Sequence, residues 1–252
     1  MMKRKFFIVL LLLILGFFIF FFLECKKQKP YFIIENNEIY EIFGKKKIQL
    51  TKDGFEKSDL KISPDGKKIG YLTHLFSKSI FSPESKEYWE NYFGLMIYDL
   101  QNKREEEILK ADYHLFGWEW IFPDEIAIYI NCGTECQILK IIDLKTKKET
   151  NLNFGVNYEW SPDKKYVLAY NFAVSFYGIT IGDRFGNIVF TLKRKLPDSL
   201  SHLIEKTKAN WSRDGKKLTL IIKKESEEKL EILVLDAKKN FKIISKKDLE
   251  HE

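Results

Sequence analysis

Residues 60–72, LKISPDGKKIGYL, and residues 210–222, NWSRDGKKLTLII, carry nearly the same phrase at two distant points of the chain. In each, a Ser-x-Asp-Gly turn signal is followed by two lysines and a largely apolar run. Asp bonds its own backbone in such turns and Gly accepts a positive φ, so each phrase predicts a β-hairpin. A phrase that recurs within one chain indicates a repeat architecture, and further copies therefore decide the fold.

Four copies of the phrase align on the turn aspartate, and an apolar residue precedes each turn. The aspartates are Asp65, Asp124, Asp163 and Asp214, at spacings of 59, 39 and 51 residues. The second copy lacks Ser and Gly, the third lacks Gly, and the fourth has Arg in place of Pro. Taken alone, these spacings are irregular.

A second landmark makes the spacing regular, because each copy is followed by an apolar run that ends in another aspartate. These are Asp99, Asp143, Asp183 and Asp236, which follow the turn aspartates by 34, 19, 20 and 22 residues. Three distances agree closely, and the first holds about 14 extra residues, within residues 77–93. A further short run follows each second aspartate.

The repeating unit is therefore four antiparallel strands. One such sheet cannot bury both of its faces alone, so we expect the units to stack radially as an all-β β-propeller. Three short runs, YFIIEN, NEIYEIF and KKIQLT, precede the first full unit. They predict five blades with a three-stranded first blade, with four blades as the alternative. This propeller domain occupies residues 30–252, after an N-terminal segment of residues 1–29.

These phrases resemble the WD-like repeat of the TolB-type β-propellers, whose consensus is close to WSPDGKKIAF. The resemblance covers residues 31–247, nearly everything beyond the N-terminal segment. It implies the fold and says little about function. TolB-type propellers commonly have six blades, so the predicted count of five departs from the family.

The N-terminal segment contains 18 residues without a polar side chain, FFIVLLLLILGFFIFFFL at residues 6–23. A helix of that length spans roughly 27 Å, close to the hydrocarbon thickness of a bilayer. We expect an uncleaved transmembrane anchor, because a signal peptidase needs small residues before the cut and no Ala, Gly or Ser occurs from Phe17 through Lys29. Two alternatives remain: a lipoprotein modified at Cys25, although Glu24 fits a lipobox poorly, and a cleaved signal peptide.

The orientation of this anchor is predicted from its flanks and from two cysteines. Basic residues lie on both sides of the apolar run, MMKRK before it and CKKQK after it, and the short N-terminal flank is the usual cytoplasmic one. Cys132 and Cys136 lie between two apolar alternating runs, where they would face each other across a hairpin end. Disulfides persist outside the cytoplasm, so we expect a Cys132–Cys136 disulfide and an extracytoplasmic propeller, with two unpaired thiols as the alternative.

The distribution of charge argues against a nucleic-acid partner. The net charge is +6, but residues 1–29 contain six Lys or Arg and one Glu, so only +1 remains for the rest of the chain. Nucleic-acid binding needs a surplus of positive charge on one face. Lysines here alternate with glutamates, which is typical of a solvated mixed surface.

No motif for catalysis, a metal or a cofactor emerges from the residues. A Gly-x-Ser-x-Gly elbow is absent, the four histidines are scattered, and no glycine-rich phosphate loop occurs. The strands offer mostly Ile, Leu, Val, Trp and Tyr, whereas an enzyme would direct several carboxylates or histidines into the central channel. We therefore expect no enzyme, no metal and no cofactor.

A partner surface is predicted on one rim of the propeller. The long insertion at residues 77–93 and the connector at residues 196–206 leave the meander on the same face. The insertion displays Tyr88, Trp89, Tyr92 and Phe93, and aromatic residues are favoured in interfaces. The alternative is that these aromatics only fill gaps between blades.

The function predicted from these features is a membrane-anchored, extracytoplasmic β-propeller that binds or scaffolds a protein partner without catalysis. The rival prediction is a propeller enzyme of the cell envelope that acts on glycan or peptide.

Overall fold

The computed structural model describes residues 29–73, 93–112, 115–133, 136–173, 176–195, 208–223 and 230–249, and these residues form five antiparallel sheets. One sheet has three strands and four sheets have four. Strands that follow one another in the chain are neighbours in every sheet, so each sheet is a meander. We name the sheets blades one to five in chain order. The predictions of an all-β fold, of five sheets and of a three-stranded first sheet are thereby confirmed.

The strands of the first three blades are four to nine residues long. Blade one consists of β1 (Tyr31–Glu35), β2 (Glu38–Phe43) and β3 (Lys46–Gln49). Blade two consists of β4 (Lys57–Ile62), β5 (Lys68–Thr73), β6 (Phe93–Asp99) and β7 (Arg104–Asp112). Blade three consists of β8 (Leu115–Phe122), β9 (Glu125–Gly133), β10 (Cys136–Asp143) and β11 (Glu149–Leu152).

Blades four and five repeat the same four-stranded plan. Blade four consists of β12 (Val156–Trp160), β13 (Tyr166–Ala173), β14 (Phe176–Asp183) and β15 (Ile188–Lys195). Blade five consists of β16 (Lys208–Trp211), β17 (Lys217–Lys223), β18 (Leu230–Asp236) and β19 (Lys242–Leu249), with a short 3-10 helix (Ala237–Lys239) before its last strand.

The repeated Ser-x-Asp phrase forms the turn between the first and second strands of its blade. In blade two, the Ser63 hydroxyl donates to Asp65 Oδ1 at 2.7 Å and accepts from the Lys68 N–H at 2.9 Å. The bond from Ser63 is the main reason that the pKa of Asp65 is lowered. The same Ser-to-Asp bond recurs at 2.8 Å in blades four and five. These aspartates therefore shape turns, which is the role that the sequence predicts.

Blade three departs from the phrase because its copy is two residues shorter. Phe122 pairs directly with Glu125, so Pro123 and Asp124 alone form the turn. Asp124 accepts from Lys145 and from Lys68, both at 2.6 Å, and the hydrogen bond from Lys145 contributes most to lowering its pKa. An ion pair with blade two thus replaces the missing serine.

The hydrophobic core lies between successive blades, in four clusters. The blade one to two cluster contains Ile39, Ile69, Tyr71 and Tyr98, and the blade two to three cluster contains Leu95, Ile97, Trp118, Trp120, Ile126, Ile128, Ile142 and Leu144. Alternate residues of one strand enter different clusters: Ile126 and Ile128 face blade two, whereas Ala127 faces blade four. Blades two, three and four therefore bury both faces, which is the packing of a β-propeller.

Among the residues that the structure describes, no helix is long and apolar enough to cross a bilayer. The predicted anchor at residues 6–23 and Cys25 lie outside these residues.

Candidate functional site

A cavity of about 530 Å³ lies where the first strands of three consecutive blades come together. We name it the channel mouth, because the first strands of propeller blades surround a common axis. It is lined by Asp59, Lys61, Phe116, Gly117, Trp118, Glu119, Tyr129, Gln137, Asn157, Tyr158 and Glu159. Most of these residues belong to β4, β8 and β12, and two come from β9 and β10.

A β-bulge in each of the three first strands shapes the channel mouth. In β4 and β12 the register shifts by one residue at corresponding positions, where Asp59 and Asn157 have φ of 48° and 53°. Asp and Asn tolerate this left-handed conformation better than other side chains. In β8 the extra residue is Phe116, which is 70% exposed. Bulges change the direction of side chains and are frequent beside functional sites.

Glu119 is the centre of a polar network that joins blades three and four. It accepts a hydrogen bond from the Tyr129 hydroxyl and one from Lys164 Nζ at 2.6 Å. Trp160 Nε1 donates to the Tyr129 hydroxyl at 3.0 Å. Burial, and then the bond to Glu119, raise the pKa of Tyr129, which therefore remains a neutral donor. The network fixes both oxygens of Glu119 in the wall of the cavity.

Lys61 joins blades two and three on the adjacent wall. Its Nζ donates to Asp59 Oδ2 at 2.7 Å and to the Trp118 carbonyl at 2.6 Å, and it lies 4.8 Å from the centre of the Trp118 ring. In return, Trp120 Nε1 donates to the Lys61 carbonyl at 3.2 Å. These contacts hold the ammonium group against the protein and position Asp59 beside it.

The third wall belongs to blade four and to the start of β10. Gln137 Oε1 accepts from the Asn157 N–H at 2.8 Å, and its carbonyl accepts from the Tyr158 hydroxyl at 3.2 Å. Burial raises the pKa of Tyr158 to about 12. Tyr170 donates to Glu159 Oε1 at 3.0 Å. The bulged segment of β12 is thus supported from blade three by both the side chain and the backbone of Gln137.

The channel mouth is acidic and rich in acceptors. Asp59, Glu119 and Glu159 line it together with a single cation, Lys61. Carboxylates only accept hydrogen bonds when ionised, so the wall favours ligands that donate or carry positive charge. The exposed ring of Phe116 adds an apolar contact at the rim. Among the described residues no group of three His, Cys, Asp or Glu is arranged to hold a metal ion.

The residues predicted to bind a partner fall mostly outside the described part of the chain. Tyr88, Trp89 and Tyr92 are outside it, and so are the insertion that carries them and the connector at residues 196–206. Phe93 is the first residue of β6 and is half-buried. The partner role of these aromatics stays a prediction.

Cys132 and Cys136 form a disulfide with a Cα–Cα distance of 5.0 Å. It connects the end of β9 to the start of β10, and both residues are exposed. Cys136 immediately precedes Gln137, so the disulfide lies beside the residue that supports the bulge of β12. The cross-link therefore belongs to the rim of the channel mouth.

The expectation that the strands direct mostly apolar residues inward is wrong for the first strands. Asp59, Glu119 and Glu159 project into the channel mouth from β4, β8 and β12. Strand alternation alone does not reveal them, because each bulge inserts a residue and reverses the faces that follow. One signal was available in the sequence: Asp59 and Asn157 both lie six residues before a turn aspartate.

No family model and no curated protein matches the chain, but solved structures do. TolB from Acinetobacter baumannii is 18% identical, with 81% of this chain and 49% of that chain covered and a TM-score of 0.39. The β-propeller domain of the Trilobed protease from Pyrococcus furiosus is 19% identical, with 82% and 60% covered and a TM-score of 0.44. Dipeptidyl peptidase 4 from Porphyromonas gingivalis is 12% identical, with 88% and 37% covered and a TM-score of 0.56.

TolB and other β-propeller proteins are thus among the structural neighbours of this chain, as the repeated phrase predicts. At these identities the likeness concerns the fold alone. The chain covers less than two thirds of each of the three structures, and their names include peptidases as well as TolB.

Proposed function

We propose that this chain is a binding module: a TolB-type β-propeller, anchored by residues 6–23 outside the cytoplasm, that captures a segment of a partner protein at the channel mouth. The observation that carries the proposal is the acceptor-rich wall contributed by three consecutive blades, with Asp59, Glu119 and Glu159 around one cavity. Preorganised groups on rigid strands are the arrangement that recognition requires.

A non-catalytic role is favoured because the ionisable groups of the channel mouth have structural partners. Glu119 is bonded to Tyr129 and Lys164, and Asp59 is bonded to Lys61. A general base needs a free lone pair directed at the reacting proton. Groups that are held by neighbours serve better as fixed acceptors than as proton carriers.

The chemistry of the channel mouth indicates the kind of partner segment. Lys61 and Lys164 neutralise Asp59 and Glu119, so Glu159 supplies the remaining negative charge of the cavity, and a Lys or Arg side chain or a free N-terminus is the complementary group. The exposed Phe116 ring offers an apolar contact beside it. We therefore expect a basic segment with at least one apolar residue.

Site-specific photocrosslinking tests the location of binding. A benzophenone amino acid replaces Phe116 in the full chain expressed in its native membrane, and the matched control carries it at Phe185, which is 63% exposed in the hairpin between β14 and β15. We expect a discrete crosslinked partner from position 116 that is absent from position 185. Equal products from both positions, or none from position 116, would contradict the proposal.

The location outside the cytoplasm has its own test. Protease added to intact cells or spheroplasts should digest the propeller, since the proposed anchor leaves it exposed. Full protection, together with free Cys132 and Cys136 thiols, would place the domain inside instead. Mass spectrometry of the mature chain separates the anchor from the lipoprotein alternative, because lipoprotein processing adds a lipid to Cys25 and cleaves the chain before it, which removes residues 1–24.

An envelope enzyme acting on glycan or peptide is the second candidate, favoured by the carboxylates that share one cavity. Glycoside hydrolysis requires two such groups. If this candidate is correct, Glu159→Gln should abolish turnover of an envelope glycan or peptide while the protein stays folded. If the binding proposal is correct, the full chain shows no turnover to abolish.

A further inference from the structure

Blade one has three strands in the described part of the chain, one fewer than each other blade, and the path of the chain identifies which position they leave open. In blades two to five the chain enters at the first strand and leaves from the fourth. Blade one is left from β3, which leads to β4, the first strand of blade two. β1, β2 and β3 therefore correspond to the second, third and fourth strands of the other blades. Within the described residues, no strand occupies the first position beside β1.

The backbone of β1 directs hydrogen-bonding groups toward this vacant position. Ile39 of β2 donates its N–H to Thr51 Oγ1 at 2.9 Å and accepts from the Leu50 N–H at 2.8 Å, so both of its groups point away from β1. Ile34 lies opposite Ile39 and is thus in a non-hydrogen-bonded pair of the ladder. Its N–H and C=O point to the outer edge, and by alternation so do those of Phe32.

The hairpin turn supports this register independently. Asn36 and Asn37 both have positive φ, 52° and 65°, as in a two-residue type I′ turn. Such a turn makes Glu35 and Glu38 a hydrogen-bonded pair, which leaves Ile34 as the next non-bonded position. No backbone group of β1 bonds to any described residue outside β2.

The side chains of β1 do not protect this edge against pairing. Its sequence is YFIIE, in which the only charge comes at the last position. Tyr31 is 53% exposed and Ile34 is 38% exposed. Natural edge strands are usually protected by lysine, proline, bulges or a covering element. Lys29 and Pro30 precede β1, but within β1 itself the apolar edge has none of these and is a template for another strand.

We propose that an extended segment of the partner protein completes blade one by pairing with β1 in the vacant first-strand position. The inference rests on the proposed binding function and specifies its mode, strand addition. Blade one packs against blade two, and Lys57 at the start of β4 donates to the Asn37 carbonyl in the turn after β1. An added first strand would therefore lie beside β4, the strand that carries Asp59 into the channel mouth. The segment is therefore extended, with apolar residues on one face and basic residues toward the channel.

A labelled synthetic peptide tests strand addition on the full chain in detergent micelles. The peptide copies residues 206–213, KTKANWSR, which contain β16, the first strand of blade five, and three basic residues. The control peptide has the same side chains but carries N-methyl groups on alternate residues, which removes the donors that pair with β1. We expect saturable binding by fluorescence anisotropy and a loss of affinity of about tenfold or more on methylation, because two backbone hydrogen bonds are lost.

A pair of variants assigns the binding to this edge. Ile34→Pro removes an N–H that points away from β2, so the hairpin keeps its own bonds, and proline is tolerated on strand edges for this reason. Ile34→Val keeps the N–H and serves as the matched control. We expect the Pro variant, which loses one backbone hydrogen bond, to bind the peptide about threefold more weakly or worse, and the Val variant to bind like the parent. If the Pro variant does not fold, the comparison of the unmodified and N-methylated peptides on the parent chain decides whether strand pairing occurs.

Three results would overturn the inference. They are equal binding of both peptides, unchanged peptide binding by the Ile34→Pro variant, or native mass spectra that show a dimer of the chain to which the peptide does not bind. None of them depends on the photocrosslink at position 116. If position 116 yields a crosslinked partner but the unmodified and N-methylated peptides bind equally, strand addition is rejected and the proposed function still stands. No crosslinked partner, with methylation-sensitive peptide binding, would reject the channel mouth instead.

Discussion

Replacement of Lys57 by Met is expected to destabilise the contact between blades one and two. The Lys57 side chain is fully buried, and its Nζ donates to the carbonyls of Asn37 and Phe55, both at 3.0 Å, and to Asp53 Oδ1. Glu38 Oε2 lies 3.7 Å from the same Nζ. One ammonium group therefore ties the turn between β1 and β2 to the connector that leads into blade two.

The size of the effect follows from what the substitution leaves behind. Methionine keeps most of the side-chain volume, so no large cavity forms, but Glu38 and Asp53 lose their cation. Removal of one partner of a buried ion pair costs about 3–5 kcal/mol. The Asp53 side chain is 31% exposed and keeps some solvation, so we expect the lower end, about 3 kcal/mol. At about 2–4 °C per kcal/mol for a chain of this size, the melting temperature should fall by about 6–12 °C.

The loss of stability in Lys57→Met should depend on pH, because the charges of Lys57 and Asp53 also act on the carboxyl group of Glu105. Burial, and then repulsion by Asp53, raise the pKa of Glu105, while Lys57 opposes the rise. A carboxyl group whose pKa is raised in the folded state stabilises the fold at acid pH and loses this contribution as the pH rises through the folded value. Without Lys57 the rise is larger, so Lys57→Met should lose more stability at pH 7 than at pH 5.

Thermal melts of the full chain in detergent measure both effects. Lys47→Met is the matched control, since its ion pair with Glu35 is exposed and should contribute less than about 1 kcal/mol. The double variant Lys57→Met, Glu38→Gln should recover part of the loss because the uncompensated carboxylate is removed. A Lys57→Met protein that melts no lower than Lys47→Met, or whose deficit is the same at pH 5 and pH 7, would refute this account.

Three further outcomes are expected. Gly70→Ala should lower the free energy of unfolding by about 1–3 kcal/mol, because the added Cβ would lie 2.3 Å from an indole ring of blade three. Gly117→Ala, whose added Cβ has its nearest atom at 4.0 Å, should melt like the parent. Reduction should release two more titratable thiols per chain, from Cys132 and Cys136, and equal counts before and after would contradict the disulfide. Trp89→Ala should weaken the binding free energy for the partner by about 2 kcal/mol, seen as reduced recovery in a pull-down, without lowering the melting temperature. A large drop in melting temperature would mean that the ring is packed in the fold instead.

The sheets were predictable because two aspartate landmarks recur in every full repeat. Asp65 and Asp99 mark one turn each in blade two, and their counterparts mark the same turns in the other blades. Turn chemistry is local: the Ser63 hydroxyl bonds Asp65 two residues away. A signal that depends on so few neighbouring residues survives even where a copy has lost its Gly or Pro.

The channel mouth was not predictable in the same way, because it depends on contacts between blades. Glu119 receives its bonds from Tyr129, ten residues away, and from Lys164, 45 residues away. The bulge at Asp59 also reverses which residues of β4 face the axis, so a strict alternation assigns them to the wrong side. The distant partners leave no pattern in the sequence. The bulge leaves one trace, an Asp or Asn six residues before a turn aspartate, which does not decide between a solvated charge and a lining residue.

The open position in blade one could be predicted in part from the sequence, unlike the channel mouth and less fully than the sheets. Three apolar runs before the first full repeat already indicate a blade that is one strand short, and terminal repeats are commonly atypical. The count alone does not say whether the inner or the outer strand is missing. Because the chain leaves blade one toward the first strand of blade two, the position that the described strands leave open is the inner one. The bonds of Ile39 to Leu50 and Thr51 then determine that the open edge of β1 presents the backbone of Ile34.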